Sequence, residues 1–477
     1  MALAGRDAFL AASLLLLSVS VSRRSSTNVV TQYAPPFLLD YTAALRAAFI
    51  IVLYGAMAHI LLSKWRKKDV YLVDYACYRP PDFLRVPYST FLEHNTLNGM
   101  SKDNTEFQRK ILQHSGLSEQ TALPPSFHFL PPRKGMLYSR SESQTVFFSL
   151  VDELLAKTYV EPSEIGILVL NCCLFYPSPS LSAMIVNRYK LRSDIKTFNL
   201  SGMGCAASLL AVDMVRHLLE VHSESYALIL SSENMSGRDY TGGRRSMLIA
   251  NCLFRMGGAA ALLSNRCADK RCAKYKLLNT VRTHTASDDK SFSCITHGED
   301  DSGEIGVSLS KELMIVAGDA LTKNITSLGQ YVLPISEQLK YAINFIARKY
   351  FKVQWLPYMP DFKQAFQHFC IHAGGKAVIQ ELEKNLKLTG ELTEASRMTL
   401  HRFGNTSSTS VWYELAYLEV NQRVKKGERV WQVGLGSGFK CFSAVWKSLW
   451  DTNGTQDNPW RDCMLQYPVS IPDCVEI

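Results

Sequence analysis

Short uninterrupted apolar runs alternate with longer stretches of helical periodicity, and the alternation occurs twice along the chain. In the first half, Ile165–Leu170 (IGILVL), Tyr226–Ser231 (YALILS) and Gly258–Ser264 (GAAALLS) are apolar at every second position and also between. A strand of that kind is buried on both faces, as in a parallel sheet covered by helices on either side. The covering helices are predicted at Val146–Lys157, Leu181–Tyr189 and Ala206–Val221, the last with Leu209, Leu210, Met214, Leu218 and Val221 on or near one face. The second half restarts the pattern. Leu339–Lys352, Lys376–Leu386 and Ser410–Gln422 read as helices, Phe366–Ile371 and Arg429–Gly434 as strands. This predicts an α/β body built from two similar halves, 69–268 and 305–450, joined by the polar segment 269–304 and followed by a tail, 451–477. Within the first half, 69–140 is rich in Pro and aromatics and reads as irregular structure wrapped on the body, with one helix near Glu106–His114.

The N-terminal 68 residues do not fit this alternation. Phe9–Ser22 is apolar or small-polar and is followed by Arg23 and Arg24; Ala47–Leu62 is apolar and is followed by the basic run Lys64–Lys68. Each is shorter than the ~20 residues of an upright span, a deficit that snorkelling end residues can make up. We read 1–68 as a membrane anchor with segments at about 9–22 and 47–62 and the body on the cytosolic side, where the second basic cluster belongs. Arg23 and Arg24 then lie on the opposite side, and the first run also has the length of a signal-peptide core. The rest of the composition is that of a folded protein, 47% hydrophobic and 20% charged. A net charge of +9 scattered over 477 residues argues against a nucleic-acid stripe and suits anionic small molecules or a lipid surface. The 12 cysteines are dispersed without a C-x-x-C pair, which points to reduced thiols rather than a disulfide framework or structural zinc. Five N-glycosylation sequons, at Asn199, Asn234, Asn324, Asn405 and Asn453, are read as chance.

Chemistry concentrates in three places. In Asn199–Cys205 (NLSGMGC) an extended run meets Gly202, Gly204 and a cysteine, and a helix follows at once. Glycine permits the sharp turn, and the helix N-terminus offers Cys205 unpaired N–H groups that favour a thiolate and could hold an oxyanion. The alternative is a small buried residue at a tight crossing. A nucleophilic cysteine needs a partner. Candidates are His372, closing the run FCIHAGG, and Asn405, in the loop HRFGNTS that leads into the next helix. All sit where strand ends of an α/β sheet converge, yet spacing alone does not select His372 over His368 or His401. The glycine loop Gly434–Gly438 (GLGSG) lacks a dinucleotide fingerprint. It reads either as an ordinary turn or as a close neighbour of the cysteine, with Gly436, Ser437 and Gly438 beside Gly204.

These stretches, with LFYPSPSLSAMIVNRYK, ANCLFRMGGAA, GVSLSKELM, CIHAGGKAVIQELEKNL and GSGFKCFSAVWKSL, resemble the plant 3-ketoacyl-CoA synthases from about Val70 to Leu449. More distantly they resemble chalcone-synthase-like polyketide synthases and bacterial ketoacyl synthases. The resemblance implies a thiolase-like duplicated αβαβα body, usually a homodimer, at the endoplasmic reticulum membrane. It implies an acyltransferase that condenses malonyl-CoA with a long-chain acyl-CoA in very-long-chain fatty acid elongation, beside a ketoreductase, a dehydratase and an enoyl reductase. Cys205, His372 and Asn405 fall on the family's catalytic positions; His401, His368 and His284 are kept as structural or supporting histidines. No metal or other cofactor is implied, the CoA thioesters being substrates. Three positions depart from the family pattern: Gly242–Met247 reads GGRRSM where GNDRSM is common, Phe442 replaces an Asn, and AAS follows Cys205 where SAG is common. A type III polyketide synthase, a degradative thiolase and a catalytically weak scaffold are the competing readings.

Overall fold

The computed structural model describes residues 48–50, 52–55, 57, 68–237, 239–452 and 458–477, and the chain divides into two compact units, 1–67 and 68–477. In the first unit the described residues are helical. The apolar segment expected at 9–22 lies outside the described residues, and that at 47–62 is described only in part. Among the described residues no helix is long and apolar enough to cross a membrane.

The second unit is organised by a nine-stranded sheet. In chain order its strands are β1 (Val70–Cys77), β2 (Ile165–Asn171), β3 (Lys196–Leu200), β4 (Tyr226–Ser232), β5 (Gly258–Ser264) and β6 (Tyr275–His284), then, after a separate hairpin of β7 (Ile295–Glu299) and β8 (Ile305–Leu309), β9 (His368–Ile371), β10 (Arg429–Gly436) and β11 (Lys440–Ser448). The helices are α1 (Tyr88–Leu97), α2 (Lys102–His114), α3 (Met136–Thr158), α4 (Leu181–Tyr189), α5 (Ala207–Val221), α6 (Arg245–Leu253), α7 (Asp289–Ser293), α8 (Leu313–Val332), α9 (Ile335–Lys349), α10 (Lys376–Leu386), α11 (Glu394–Phe403) and α12 (Ser410–Val420). The strand order β3-β2-β4-β5-β1-β6-β11-β10-β9 contains the predicted duplication. Read inward from each edge, β2-β4-β5-β1 and β9-β10-β11-β6 repeat one pairing scheme: parallel, antiparallel, antiparallel. The antiparallel pair β1–β6 joins the two halves, and among the described residues β3 has no counterpart in the second.

Strands with two apolar faces need two helical layers, and both are present. Ile167 and Val169 of β2 and Val430 of β10 pack into one core with α5 and α12; Leu168 and Leu170 pack on the other side with α3, and Trp431 and Val433 with α8. Every residue of α12 is buried, and each apolar side chain so enclosed stabilises the fold by about 1.5–3 kcal/mol. The helices α5 and α12 follow Cys205 and Asn405 respectively, so the duplication places these two residues at equivalent corners.

Several elements differ from the sequence reading. Residues 70–77, expected to be irregular, form β1 near the middle of the sheet; Asp74 interrupts the apolar run, and its charge is met by Lys274 Nζ at 2.7 Å. The segment 269–304, read as a polar junction, carries β6, whose alternating residues answer to a half-buried antiparallel strand. The helix expected at 339–352 runs instead over Ile335–Lys349. The tail is anchored to the body: Trp460 is fully buried, and its indole donates to the Tyr413 carbonyl at 2.8 Å. Three sequon asparagines, Asn234, Asn324 and Asn405, are buried.

Candidate active site

Leaving β3, the chain turns through Gly202 and Gly204 with φ of +65° and +64°, a region that L side chains rarely occupy. A short 3₁₀ turn, Gly204–Ala206, then sets Cys205 immediately ahead of α5. The glycine loop packs directly against this elbow. A Cβ on Gly204 would strike the Ser437 backbone, and one on Gly436 would lie 2.7 Å from the Met203 carbonyl and 2.8 Å from the Ala206 nitrogen. Gly204 and Gly436 are thus required by close approach. Gly438, at φ +82°, turns the loop toward Lys440, whose ammonium holds the Ser437 carbonyl at 2.6 Å. The thiol is not the thiolate that a helix N-terminus alone would favour. Burial pushes the Cys205 thiol up to about 12; the Ser407 hydroxyl, donating to its sulfur at 3.4 Å, opposes the shift, and the Glu233 carboxylate adds to it. Desolvation is the largest of these effects.

His372 stands at the end of β9 and is 4% exposed. Burial lowers its imidazole to about 4, so it is neutral near pH 7. Its Nδ1 lies 2.9 Å from the Ser410 hydroxyl, which also accepts the Ala373 N–H at 3.2 Å. A hydroxyl can accept from Nδ1–H or donate to bare Nδ1. The other ring nitrogen can therefore serve as either acceptor or donor without breaking this contact. Asn405 is held as firmly. Its backbone pairs with Leu253 and Arg255 at 3.0 and 2.9 Å, its Oδ1 accepts the Ser407 N–H at 2.8 Å, and its Nδ2 donates one hydrogen to the Gly374 carbonyl at 3.0 Å. These bonds fix which end of the amide carries the donors, and Nδ2 has a second N–H. Ser407 itself sits at φ +58°, a strained conformation for a residue with a side chain.

Cys205, His372 and Asn405 line one cavity of about 350 Å³, together with Gly204 and Ser437. Its remaining wall is largely apolar: Phe254, Leu309, Leu313, Ala317, Val378 and Phe439. The hairpin β7–β8 closes one side through Ile295, His297, Val307 and Leu309. An adjoining smaller cavity of about 60 Å³ shares Leu174, Phe254, His297 and Val307 with the first and is lined also by Phe91 and Phe127. Glu233 also lines the main cavity, its carboxylate gathering the backbone N–H groups of Cys173 and Leu174 at 3.1 and 2.8 Å.

The other candidate histidines are elsewhere. His401 bonds the Tyr467 hydroxyl at 3.0 Å, His368 pairs with Glu428 at 2.8 Å, and His284, at the end of β6, accepts the Ala286 N–H at 3.3 Å; none lines the cavity. Ser407, Ser410, Glu233 and the β7–β8 wall were not found in the sequence. The hydroxyl-rich run NTSSTS was the available signal for the two serines. Of the unusual positions, Phe442 is buried in the main core opposite Gly434, and Ser208 of AAS accepts the Trp412 indole N–H at 2.6 Å. The GGRRSM stretch abuts the hairpin: Ser308 and Ser246 hydroxyls meet at 2.8 Å, and Arg244 pairs with Asp301 at 2.9 Å.

Residues 62–350 match the family described as FAE1/Type III polyketide synthase-like protein, and residues 363–448 match the 3-oxoacyl-[acyl-carrier-protein] synthase III C-terminal family. The chain is 55% identical to 3-ketoacyl-CoA synthase 5 of Arabidopsis thaliana over 440 residues, 89% of each chain. It is 53% identical to 3-ketoacyl-CoA synthase 6 of the same organism over 92% of this chain and 88% of that one. Among solved structures it is similar to a type III pentaketide synthase from Neurospora crassa, with a TM-score of 0.62 at 18% identity over 80% of this chain and 99% of that one. It is also similar to 1,3,6,8-tetrahydroxynaphthalene synthase from Streptomyces coelicolor, with a TM-score of 0.60 at 19% identity over 80% and 99%. At such identities the likeness is one of fold.

Proposed function

The chain belongs to the plant 3-ketoacyl-CoA synthase family, and we propose that its cavity joins the acyl group of a long-chain acyl-CoA to the two-carbon unit of malonyl-CoA. The observation that carries this reading is the convergence of a thiol, a neutral imidazole with an amphoteric neighbour, and a fixed amide donor on one apolar cavity.

The steps follow from those groups. Cys205 is held as a thiol, so its proton leaves as its sulfur attacks the acyl carbonyl, and neutral His372 takes it. The departing CoA thiolate receives that proton, leaving an acyl-cysteine thioester, CoA and neutral His372. Malonyl-CoA then loses CO2, and the electron pair of the broken C–C bond passes into a thioester enolate. His372 in its other neutral tautomer, with Nδ1 bare and accepting from the Ser410 hydroxyl and N–H on the cavity side, and the second N–H of Asn405 stabilise the enolate oxygen. The enolate carbon attacks the acyl thioester, the C–S bond breaks, and the Cys205 sulfur takes up a proton from water to give the 3-ketoacyl-CoA and the resting enzyme. These steps balance without a metal or redox cofactor. Asn serves here better than Asp, whose charge would oppose the developing anion. The apolar wall and its continuation past Phe254 suit a long acyl chain.

We place the protein at the endoplasmic reticulum membrane with the body facing the cytosol, anchored through 1–68, as a homodimer working with a ketoreductase, a dehydratase and an enoyl reductase. The apolar runs at 9–22 and 47–62 and the basic cluster after them support the anchor. The test is expression of the full chain in a host lacking such long products, with fatty-acid profiling and labelling by radioactive acyl-CoA. Wild type should yield elongated acids and a labelled protein, and Cys205→Ala neither. Labelling of Cys205→Ala at the wild-type level would remove Cys205 from the reaction.

A further inference from the structure

Helix α9 is inside out. Of its fifteen residues the one that is buried is Glu337, 1% exposed. Its carboxylate, turned toward the segment that follows the helix, accepts from the Tyr358 hydroxyl at 2.8 Å, the Asp361 N–H at 3.0 Å and Lys340 at 2.8 Å. Two turns on, Asn344 continues this inward face, donating to the Leu356 carbonyl at 3.1 Å and accepting the Tyr358 N–H at 3.0 Å. The polar side of the helix is thus the side fixed to the protein.

The opposite side is apolar. Ile335, Leu339, Ile343 and Ile346 recur at helical spacing and are 75%, 56%, 59% and 45% exposed. The segment that follows the helix also exposes large apolar side chains, Phe351, Trp355 and Leu356, at 75%, 53% and 86%. A surface helix ordinarily buries its apolar stripe and exposes its polar one. The reversal here is held in place by specific hydrogen bonds, and an exposed apolar stripe of this kind marks an interaction surface.

Charge identifies the occupant. From 338 to 360 the sequence contains Lys340, Arg348, Lys349 and Lys352 and no Asp or Glu. All four cations are exposed, and Lys349 lies over the Phe345 and Tyr350 rings at 5.3 and 5.6 Å. Aliphatic residues on one face, aromatic residues at its end and Lys or Arg around it describe a helix lying in a membrane interface, where each cation near an anionic leaflet adds ~1 kcal/mol. A face between two protein copies is instead depleted in lysine.

We propose that α9 and the segment to Leu356 dock on the surface of an anionic phospholipid membrane, a contact additional to any made by residues 1–68. The preceding helix α8 lines the catalytic cavity through Leu313 and Ala317. That lining lies in the first two turns of α8, and α9 follows its other end.

The experiment uses the full chain in nanodiscs, with a benzophenone amino acid placed at Leu339, Ile343 or Leu356, and at Tyr159, which is 90% exposed, as the control. Irradiation in phosphatidylserine-containing discs should give phospholipid adducts at the first three positions at least tenfold above Tyr159, and lower yields in purely phosphatidylcholine discs. The readout needs no turnover, so it stands or falls independently of the catalytic assignment. Cross-links from Leu339 and Ile343 to a second copy of the chain, or lipid adducts no more frequent than at Tyr159, overturn the proposal.

Discussion

Replacing Ser410 with Ala tests the proposed division of labour at His372. The hydroxyl is fully buried, 2.9 Å from Nδ1 and 3.2 Å from the Ala373 nitrogen. Its loss leaves a buried ring nitrogen without that partner, a cost of about 1–3 kcal/mol per unsatisfied group. If that energy is what holds His372 in its working tautomer and orientation, the rate falls by roughly 5- to 150-fold. Both half-reactions should suffer, because acylation uses the imidazole as acceptor and decarboxylation uses it as donor. The assay measures acyl transfer from labelled acyl-CoA and CO2 release from malonyl-CoA, with the melting temperature recorded alongside. A double-mutant cycle separates positioning from general destabilisation. In a His372→Ala background, Ser410→Ala should cost nothing further in either half-reaction. Equal losses in both backgrounds, or half-reactions within twofold of wild type, would refute the reasoning even if the melting temperature fell.

Two further predictions concern the elbow. Glu233 raises the Cys205 thiol and Ser407 lowers it, so the pH midpoint of Cys205 alkylation by iodoacetamide should move down in Glu233→Gln, where a negative charge is removed, and up in Ser407→Ala, where a donor to sulfur is lost. Shifts of the same sign in both variants would show that neither group acts on sulfur as described. Gly436→Ala places a Cβ against backbone atoms at 2.7 and 2.8 Å, neighbours that cannot rotate away. Overpacking of this kind costs ~1–3 kcal/mol, and an unchanged chemical-denaturation midpoint would show that the loop can yield.

What was legible in the sequence was what local chemistry dictates. Gly202 and Gly204 announce a turn that requires positive φ, and α5 must begin next to it, so the elbow could be read without a structure. His372 and Asn405 each lie in a short loop that leads into a helix, His372 directly after a strand, though preferring His372 to His368 and His401 required family resemblance. The partners that set their behaviour were not legible. Whether Ser410 meets His372 or Ser407 meets Cys205 depends on how α12 packs against β9 and α5, and nothing in the spacing encodes that. Strand β1 was hidden by the charge of Asp74, whose counterion Lys274 lies far along the chain. The segment 269–304 looked like a linker because half of the residues in β6 are partly exposed, and it supplies one strand of the cavity's hairpin wall as well.

The strand order also governs how the protein comes off the ribosome. Strands β1 to β5 can pair once residue 264 has emerged, and β6 can add to β1 soon after, but the free edge of β6 is completed only by β11, residues 440–448. At about 5–20 residues per second that interval lasts roughly 10–40 s. Throughout it a nascent half-body displays an open strand edge and the side of α5 destined for α12. Such edges are templates for aggregation, so this polypeptide should depend on chaperones during synthesis. A premature stop after β10 should yield an insoluble product and not a usable N-terminal half.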